Sequence, residues 1–250
     1  MIALKSQSEL DLMRKACTMT AQILQEMCDM AKPGVSTGEI DKYAEKRIKD
    51  LGATPAFKGY HGFPACVCIS VNDEVVHGIP SPKRVLKDGD IVGLDFGVIY
   101  QGWYGDSART VAVGSVKPEV QKLLDVTREG LAKGIEQCRE GNRVFDIGHA
   151  VQNYVEGFGF SVVREFVGHG IGRALHEEPQ VPNYGPKGKG LQLKVGMVLA
   201  IEPMINAGSH EVKVLSDGWT AVTMDRSLSA HFEHTVAITP KGPEILTVVR

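Results

Sequence analysis

The chain has 250 residues, 43% hydrophobic and 23% charged, enough for a substantial core. Its 28 basic and 30 acidic side chains leave a formal net charge of −2, which gives no field to hold nucleic acid or an anionic membrane. The opening MIALKSQSELDLMRKA has no signal-like apolar region, no apolar run approaches the roughly 20 residues of a membrane span, and the five cysteines make an odd count, so the expectation is a cytoplasmic protein with reduced thiols.

Residues 9–31 place Leu12, Ala16, Met19, Ile23, Met27 and Met30 at helical spacing and end near Pro33-Gly34. Ser36 followed by Glu39 is a capping-box signature, which opens a second helix through Ile40, Ala44 and Ile48 to a stop at Gly52. The run Cys66-Val67-Cys68-Ile69-Ser70 reads as a buried strand whose thiols are small core hydrophobes rather than a metal clip. Residues 93–106 read as two strands around a tight turn near Tyr100-Gln101. Residues 118–139 and 143–157 repeat the helix pair, the first opening with Pro118-Glu119. Short Val/Ile-rich runs punctuated by Gly and Pro follow each pair and read as antiparallel strands.

The repetition extends to individual residues. Leu86-Lys87-Asp88-Gly89-Asp90-Ile91-Val92-Gly93-Leu94-Asp95 aligns with Leu193-Lys194-Val195-Gly196-Met197-Val198-Leu199-Ala200-Ile201-Glu202, and the same 107-residue offset pairs Gly34 with Gly141, Ile40 with Ile147 and Gly52 with Gly159. His77-Gly78-Ile79 echoes His169-Gly170-Ile171 at another offset, so one half carries an insertion. The reading is α+β: a single domain over residues 1–250, built from two related halves, roughly 1–110 and 111–250, with helices on one face of a shared curved sheet. A site between the halves draws ligands from both.

Candidate ligands stand at the ends of apolar runs. With the turn centred at Tyr100-Gln101, Asp95 and Asp106 face each other directly, about 4.5–5.5 Å apart at Cβ. Carboxylates so close repel unless protonated or bridged by cations, and they suit a pair of divalent ions. Asp95 after IVGL and Glu202 after VLAI are equivalent in the repeat, and a carboxylate ending a buried strand is costly unless paired or metal-bound. Glu233 precedes the apolar run Val236-Ala237-Ile238, with Phe232 and His234 on the opposite face by alternation. His169 sits among glycines that let the backbone approach closely. Each has a plainer reading alone: a turn cap for Asp95 or Asp106, a solvated edge for Glu233, a structural ring for His169. Spacing by itself assigns neither His169 nor His176, which are not at helical i,i+4 separation. One imidazole among four carboxylates is oxygen-rich coordination, favouring Mn2+, Fe2+ or Co2+ over a thiolate zinc site.

Taken together, His77-Gly78-Ile79-Pro80, Asp95 with Asp106, Gly168-His169-Gly170-Ile171-Gly172-Arg173 with His176, Ile201-Glu202-Pro203-Met204 and Ser229–Thr235 resemble the type I methionine aminopeptidases, in that family's order. The resemblance implies the pita-bread fold of creatinase and aminopeptidases, with two αβ halves related by a pseudo-two-fold. It implies two divalent ions (Co2+, Mn2+, Fe2+ or Zn2+) on Asp95, Asp106, His169, Glu202 and Glu233, with Asp106 and Glu233 bridging. It assigns His77 and His176 to substrate contact and to the tetrahedral intermediate, and Glu202 to proton transfer as well. Tyr60, His61, Phe63, Cys68 and Trp219 match positions lining the methionine pocket, and Leu175 stands where related enzymes often carry an aromatic ring. Asn72 and Ser229 match holders of a structural monovalent cation. The implied activity is removal of the initiator methionine from nascent polypeptides when the second residue is small, by a monomer working near the ribosomal exit tunnel. No type II insertion follows His176, and the chain starts at its first helix, as in the short bacterial-type enzymes. Rival readings are an X-Pro peptidase of the same fold, a partner-binding relative without catalysis and a mononuclear iron oxygenase.

Overall fold

A computed structural model of the chain describes residues 2–249. Helix α1 (Gln7–Met30) starts at a Ser6/Glu9 capping box and α2 (Thr37–Asp50) at the predicted Ser36/Glu39 box, each N-cap contributing about 1 kcal/mol. The buried stripe of α1 includes Leu10, Met13, Ala16, Cys17, Ile23, Leu24 and Met27, while Leu12, Met19 and Met30 lie half-buried at its margin. The predicted stripe is therefore rotated by about one position. Helices α3 (Pro118–Glu136) and α4 (Val144–Glu156) form the second pair.

The strands run β1 (Thr54–Pro55), β2 (Val67–Val71), β3 (Glu74–Val76), β4 (Ile91–Tyr100) and β5 (Trp103–Ala112) between the helix pairs. After α4 follow β6 (Ser161–Val162), β7 (Gly168–Gly170), β8 (Glu177–Val181), β9 (Val198–Ile201) and β10 (Met204–Asn206). The last are β11 (Val212–Val214), β12 (Ala221–Thr223), β13 (Ser229–His231), β14 (His234–Thr239) and β15 (Gly242–Ile245). Every strand pair is antiparallel; the ladders are β1-β4-β2 with β5 on β4, β15-β14-β9-β7-β8, and two three-stranded pieces, β13-β10-β6 and β11-β12-β3. The two largest apolar clusters each pack one helix pair on strands. One buries Ile23, Met27, Ile40 and Ile48 against Ile69, Leu94 and Phe96; the other buries Leu123, Leu131, Ile147 and Val151 against Leu199, Ile201, Val236 and Ile238.

Contacts recur at the 107-residue spacing. Ser36 bridges Val85 and Arg143 bridges Gln192; Gly34 N donates to Leu86 O at 2.9 Å and Gly141 N to Leu193 O at 3.1 Å. Gly34 and Gly141 have φ of 94° and 92°, a region open to glycine but strained for other residues, so the two helices of each pair are joined through the same turn.

Helix α1 lies directly on β5 because residue 105 has no side chain: a Cβ on Gly105 would stand 2.8 Å from Ala16 C and Cys17 N. Gly105→Ala must push the helix off the strand, and it is expected to lower stability by about 1–3 kcal/mol. A fall in the urea midpoint at constant slope is the signature, and an unchanged midpoint would show that the contact relaxes freely.

Candidate metal and substrate site

The two large ladders meet along β5 and the 229–235 segment, where side chains complete the hydrogen bonding. Thr110 Oγ1 donates to His231 O and accepts from His231 N, both at 2.8 Å; Ser107 Oγ donates to Glu233 O at 2.8 Å, and Glu233 N donates to Ala108 O at 2.8 Å. Thr235 Oγ1 donates to Asp106 O at 2.7 Å. This seam carries Asp106 and Glu233 to the same point from the two halves of the chain. Glu233 lies in the short break between β13 and β14, and alternation across it holds: Glu233 lines one cavity, Phe232 and His234 another. The latter cavity is the larger, about 640 Å³, yet the carboxylates converge in the smaller one, about 240 Å³.

Asp106, His169 and Glu233 each offer a ligand atom within 4.8 Å of the other two. Glu202 joins them, its Oε1 3.4 Å from His169 Nε2, and Asp106 Oδ2 lies 3.9 Å from the same nitrogen. Gly170 O sits 2.9 Å from His169 Nδ1; as an acceptor it draws the ring hydrogen to Nδ1 and leaves the Nε2 lone pair toward the acids. Burial lifts Asp95 to about 7; burial, then the Asp95 charge, holds Asp106 well above the carboxylate range. Glu202 is raised by burial, then by Asp95 and Asp106; Glu233 by burial, then by Asp106, Glu202 and Asp95. Asp95 Oδ1, Asp106 Oδ1 and Glu233 Oε1 are buried without hydrogen-bond partners among the described residues. Unpartnered carboxylate oxygens, mutually repelling and backed by one imidazole nitrogen, fit hard divalent cations.

Around this floor the walls are apolar and aromatic: Phe57, Tyr60, Phe63, Cys68, Leu175 and Trp219. Phe63 and Trp219 meet edge to face with centroids 5.1 Å apart. Two further imidazoles face inward. His176 stacks edge-on against His169 at 4.3 Å between centroids, and its Nδ1 is 2.7 Å from the Tyr60 hydroxyl. His77, at φ 61°, packs on Phe166, and burial, then His176, brings its pKa down to about 4. The turn carrying His176 is fixed through Glu177, which accepts from Lys5 Nζ at 2.6 Å and from Arg173 N at 2.7 Å.

The family model described as metallopeptidase family M24 matches residues 11–240. The methionine aminopeptidase of Clostridium perfringens is 54% identical to the chain over the full length of both. The crystal structure of methionine aminopeptidase from Thermotoga maritima superimposes with a TM-score of 0.97 at 48% identity, covering 99% of each chain. The chain belongs to the methionine aminopeptidases of metallopeptidase family M24. It is a metallo-exopeptidase with the pita-bread architecture, and its family implies use of divalent metal. The prolidase of Pyrococcus horikoshii shares the fold at a TM-score of 0.78 and 25% identity, with only 64% of its chain covered. Full-length similarity to methionine aminopeptidases thus decides against the X-Pro reading.

The predicted metal, catalytic and pocket residues of the chain line one cavity: Tyr60, His61, Phe63, Cys68, His77, Asp95, Asp106, His169, His176, Glu202, Trp219 and Glu233; Asn72 and Ser229 do not line it. Phe57 was not foreseen, and nothing in its sequence context marks it. Two local expectations need correction. The hairpin turn is at Gln101-Gly102, one residue later than expected, with φ of 50° and 77° and Tyr100 paired to Trp103. A two-residue turn of this kind needs positive φ at both positions, which Gly102 accommodates and Tyr100 does not. Asp106 therefore faces Gly97, Asp95 faces Ala108, and the carboxylates are diagonal neighbours on one face, not directly opposed. Asp95 also stands mid-strand in β4 and does not end it, whereas Glu202 follows β9 as expected.

Proposed function

We propose that Asp95, Asp106, His169, Glu202 and Glu233 would hold two divalent ions (Co2+, Mn2+, Fe2+ or Zn2+). The supporting observation is the junction, in one cavity of about 240 Å³, of a buried repelling acid cluster with an apolar aromatic wall. That volume is below the roughly 300–1,000 Å³ of sites for larger ligands and suits a single side chain, as an exopeptidase requires. When bound, such ions would lower the pKa of a coordinated water from about 15.7 toward 7, making hydroxide available at neutral pH.

The chain's own residues supply the rest. Phe63, Cys68, Leu175 and Trp219, with Tyr60 and His61 at the mouth, receive the methionine side chain; its thioether is well matched to aromatic edges. Glu202 accepts the proton of the attacking water. The Tyr60 hydroxyl donates to His176 Nδ1, so that Nε2 carries the hydrogen and donates to the developing oxyanion. His77, kept neutral by burial, donates to the scissile amide.

The substrates on this reading are nascent polypeptides with N-terminal methionine and a small second residue. The whole of 1–250 acts as one catalytic domain, as a monomer in the cytoplasm near the ribosomal exit tunnel. No helix among the described residues is long and apolar enough to cross a membrane. The proposal extends to a structural monovalent cation near Asn72 and Ser229, whose backbones are joined by Ser229 N donating to Asn72 O at 2.9 Å. Methionine release from Met-Ala-Ser by chelator-treated protein is expected to return on adding Mn2+ or Co2+, and to fail when proline is second. Folded protein inactive with every metal would point to a partner-binding relative.

A further inference from the structure

One buried imidazole beside the cluster is not among the predicted site residues. His231 is 3% exposed on β13, on the same side of the alternation as Glu233, two positions on. Its backbone is pinned on both sides by the Thr110 hydroxyl and paired with Met204 on β10, so the ring has little freedom to move away. Its Nε2 is buried with no hydrogen-bond partner among the described residues. An unsatisfied polar atom in that position costs about 1–3 kcal/mol, so the fold must offer it a partner in the working state.

One candidate is at hand. Glu202 Oε2 lies 3.7 Å from His231 Nε2, while the other oxygen, Oε1, lies 3.4 Å from His169 Nε2. The carboxylate thus lies between two imidazoles, one nearest each oxygen. Asn183 Nδ2 ties down only the Glu202 backbone carbonyl, at 3.1 Å, and leaves the carboxylate free to rotate. A shift of roughly 0.5–1 Å closes the Nε2 gap to hydrogen-bond length.

We propose that His231 is a positioning residue whose Nε2–H grips Glu202 Oε2 and so fixes the orientation in which Glu202 Oε1 faces the ion site beside His169. The inference rests on the reading of Glu202 as a metal ligand. It follows the general rule that ligating carboxylates are oriented by outer hydrogen bonds, whose loss costs roughly 10–100-fold in metal affinity or activity.

The two amides separate the ring nitrogens. Glutamine places its NH2 near the Nε2 position and asparagine near Nδ1. In calorimetric titration of Mn2+ into chelator-stripped protein, H231N is expected to bind roughly 10–100-fold more weakly than wild type, and H231Q close to wild type. With Met-Ala-Ser, H231N should lose kcat at nearly constant KM, and H231Q should restore it. Equal affinity in folded H231N and wild type, or an H231Q as impaired as H231N, overturns the proposal. Should H231N not fold, spectra of the 15N-histidine-labelled wild type with Zn2+ decide. An Nε2–H tautomer at His231 supports the grip, and an Nδ1–H tautomer overturns it. If wild type itself takes up no Mn2+, the ligand reading of Glu202 fails and this inference falls with it.

Discussion

Stripping the protein of divalent metal is expected to abolish methionine release and to leave a fold that loses stability as pH rises from 7 to 8.5. The first effect follows from chemistry: without a water of lowered pKa, several kcal/mol of assistance disappear, on the order of 10³-fold or more in rate. The second follows from the acid cluster. Asp95 at about 7, and Asp106, Glu202 and Glu233 raised further by burial and mutual repulsion, have folded pKa values above their unfolded ones. Their contribution is fully present below the unfolded values near 4 and is lost as pH rises through the folded ones.

Buried histidines act in the opposite sense. His77 and His169, brought down to about 4 by burial and then by His176, and His234, brought down to about 4 by burial and then by Arg109, contribute stability that is complete above about 6.5 and lost as pH falls through the folded values. Above 7 these imidazoles no longer change, and the thiols raised by burial act in the same sense as the acids. Bound ions replace the protons on the carboxylates, so the gap between loaded and stripped protein should widen with pH, and Mn2+ at 100 times its Kd should add about 2.7 kcal/mol. Calorimetric melting at pH 7 and 8.5, with and without Mn2+, reads this directly. A stripped protein that melts at the same temperature at both values, and that Mn2+ does not stabilise, would mean that the cluster holds no ion.

How much of this was legible in the sequence depended on whether a property is local. The four helices were readable because caps and apolar spacing are written within a few residues: Ser36 and Glu39 bond each other as their identities require. The repeat was readable because equal turns demand equal glycines, as at Gly34 and Gly141. Register was less so. A shift of one residue in the hairpin turn moved Asp106 from facing Asp95 to facing Gly97, and only the positive-φ requirement at Gln101-Gly102 reveals it.

The gathering of the site residues into one cavity was anticipated through family resemblance. Physical reasoning from spacing alone did not give it, because the seam that joins Asp106 to Glu233 is built from non-local hydroxyl bonds of Ser107, Thr110 and Thr235. Such hydroxyls look like ordinary strand residues in sequence. His231 illustrates the same limit in reverse: alternation placed it beside Glu233, but its relation to Glu202 exists only after the β10–β13 pairing forms.

His176→Ala is expected to lower kcat for Met-Ala-Ser by about 10²–10³, the roughly 2.7–4 kcal/mol typical of a donor to a developing oxyanion, with metal affinity retained. A neutral imidazole has one N–H, and on the proposed reading the Tyr60 hydroxyl, 2.7 Å from Nδ1, is the donor to that nitrogen. With the hydroxyl donating, Nε2–H is the hydrogen left for the substrate. Tyr60→Phe should therefore cost less than removal of the ring, since the imidazole survives in a mixture of tautomers. KM should rise modestly in that variant because Tyr60 also lines the pocket. The edge-on contact between His176 and His169 makes metal content the necessary control: His169 must still bind after His176 is gone. Loss of turnover with full metal occupancy places His176 in the transition state. Unchanged turnover would leave the oxyanion to other donors, and the Tyr60–His176 bond would then serve only to shape the mouth of the pocket.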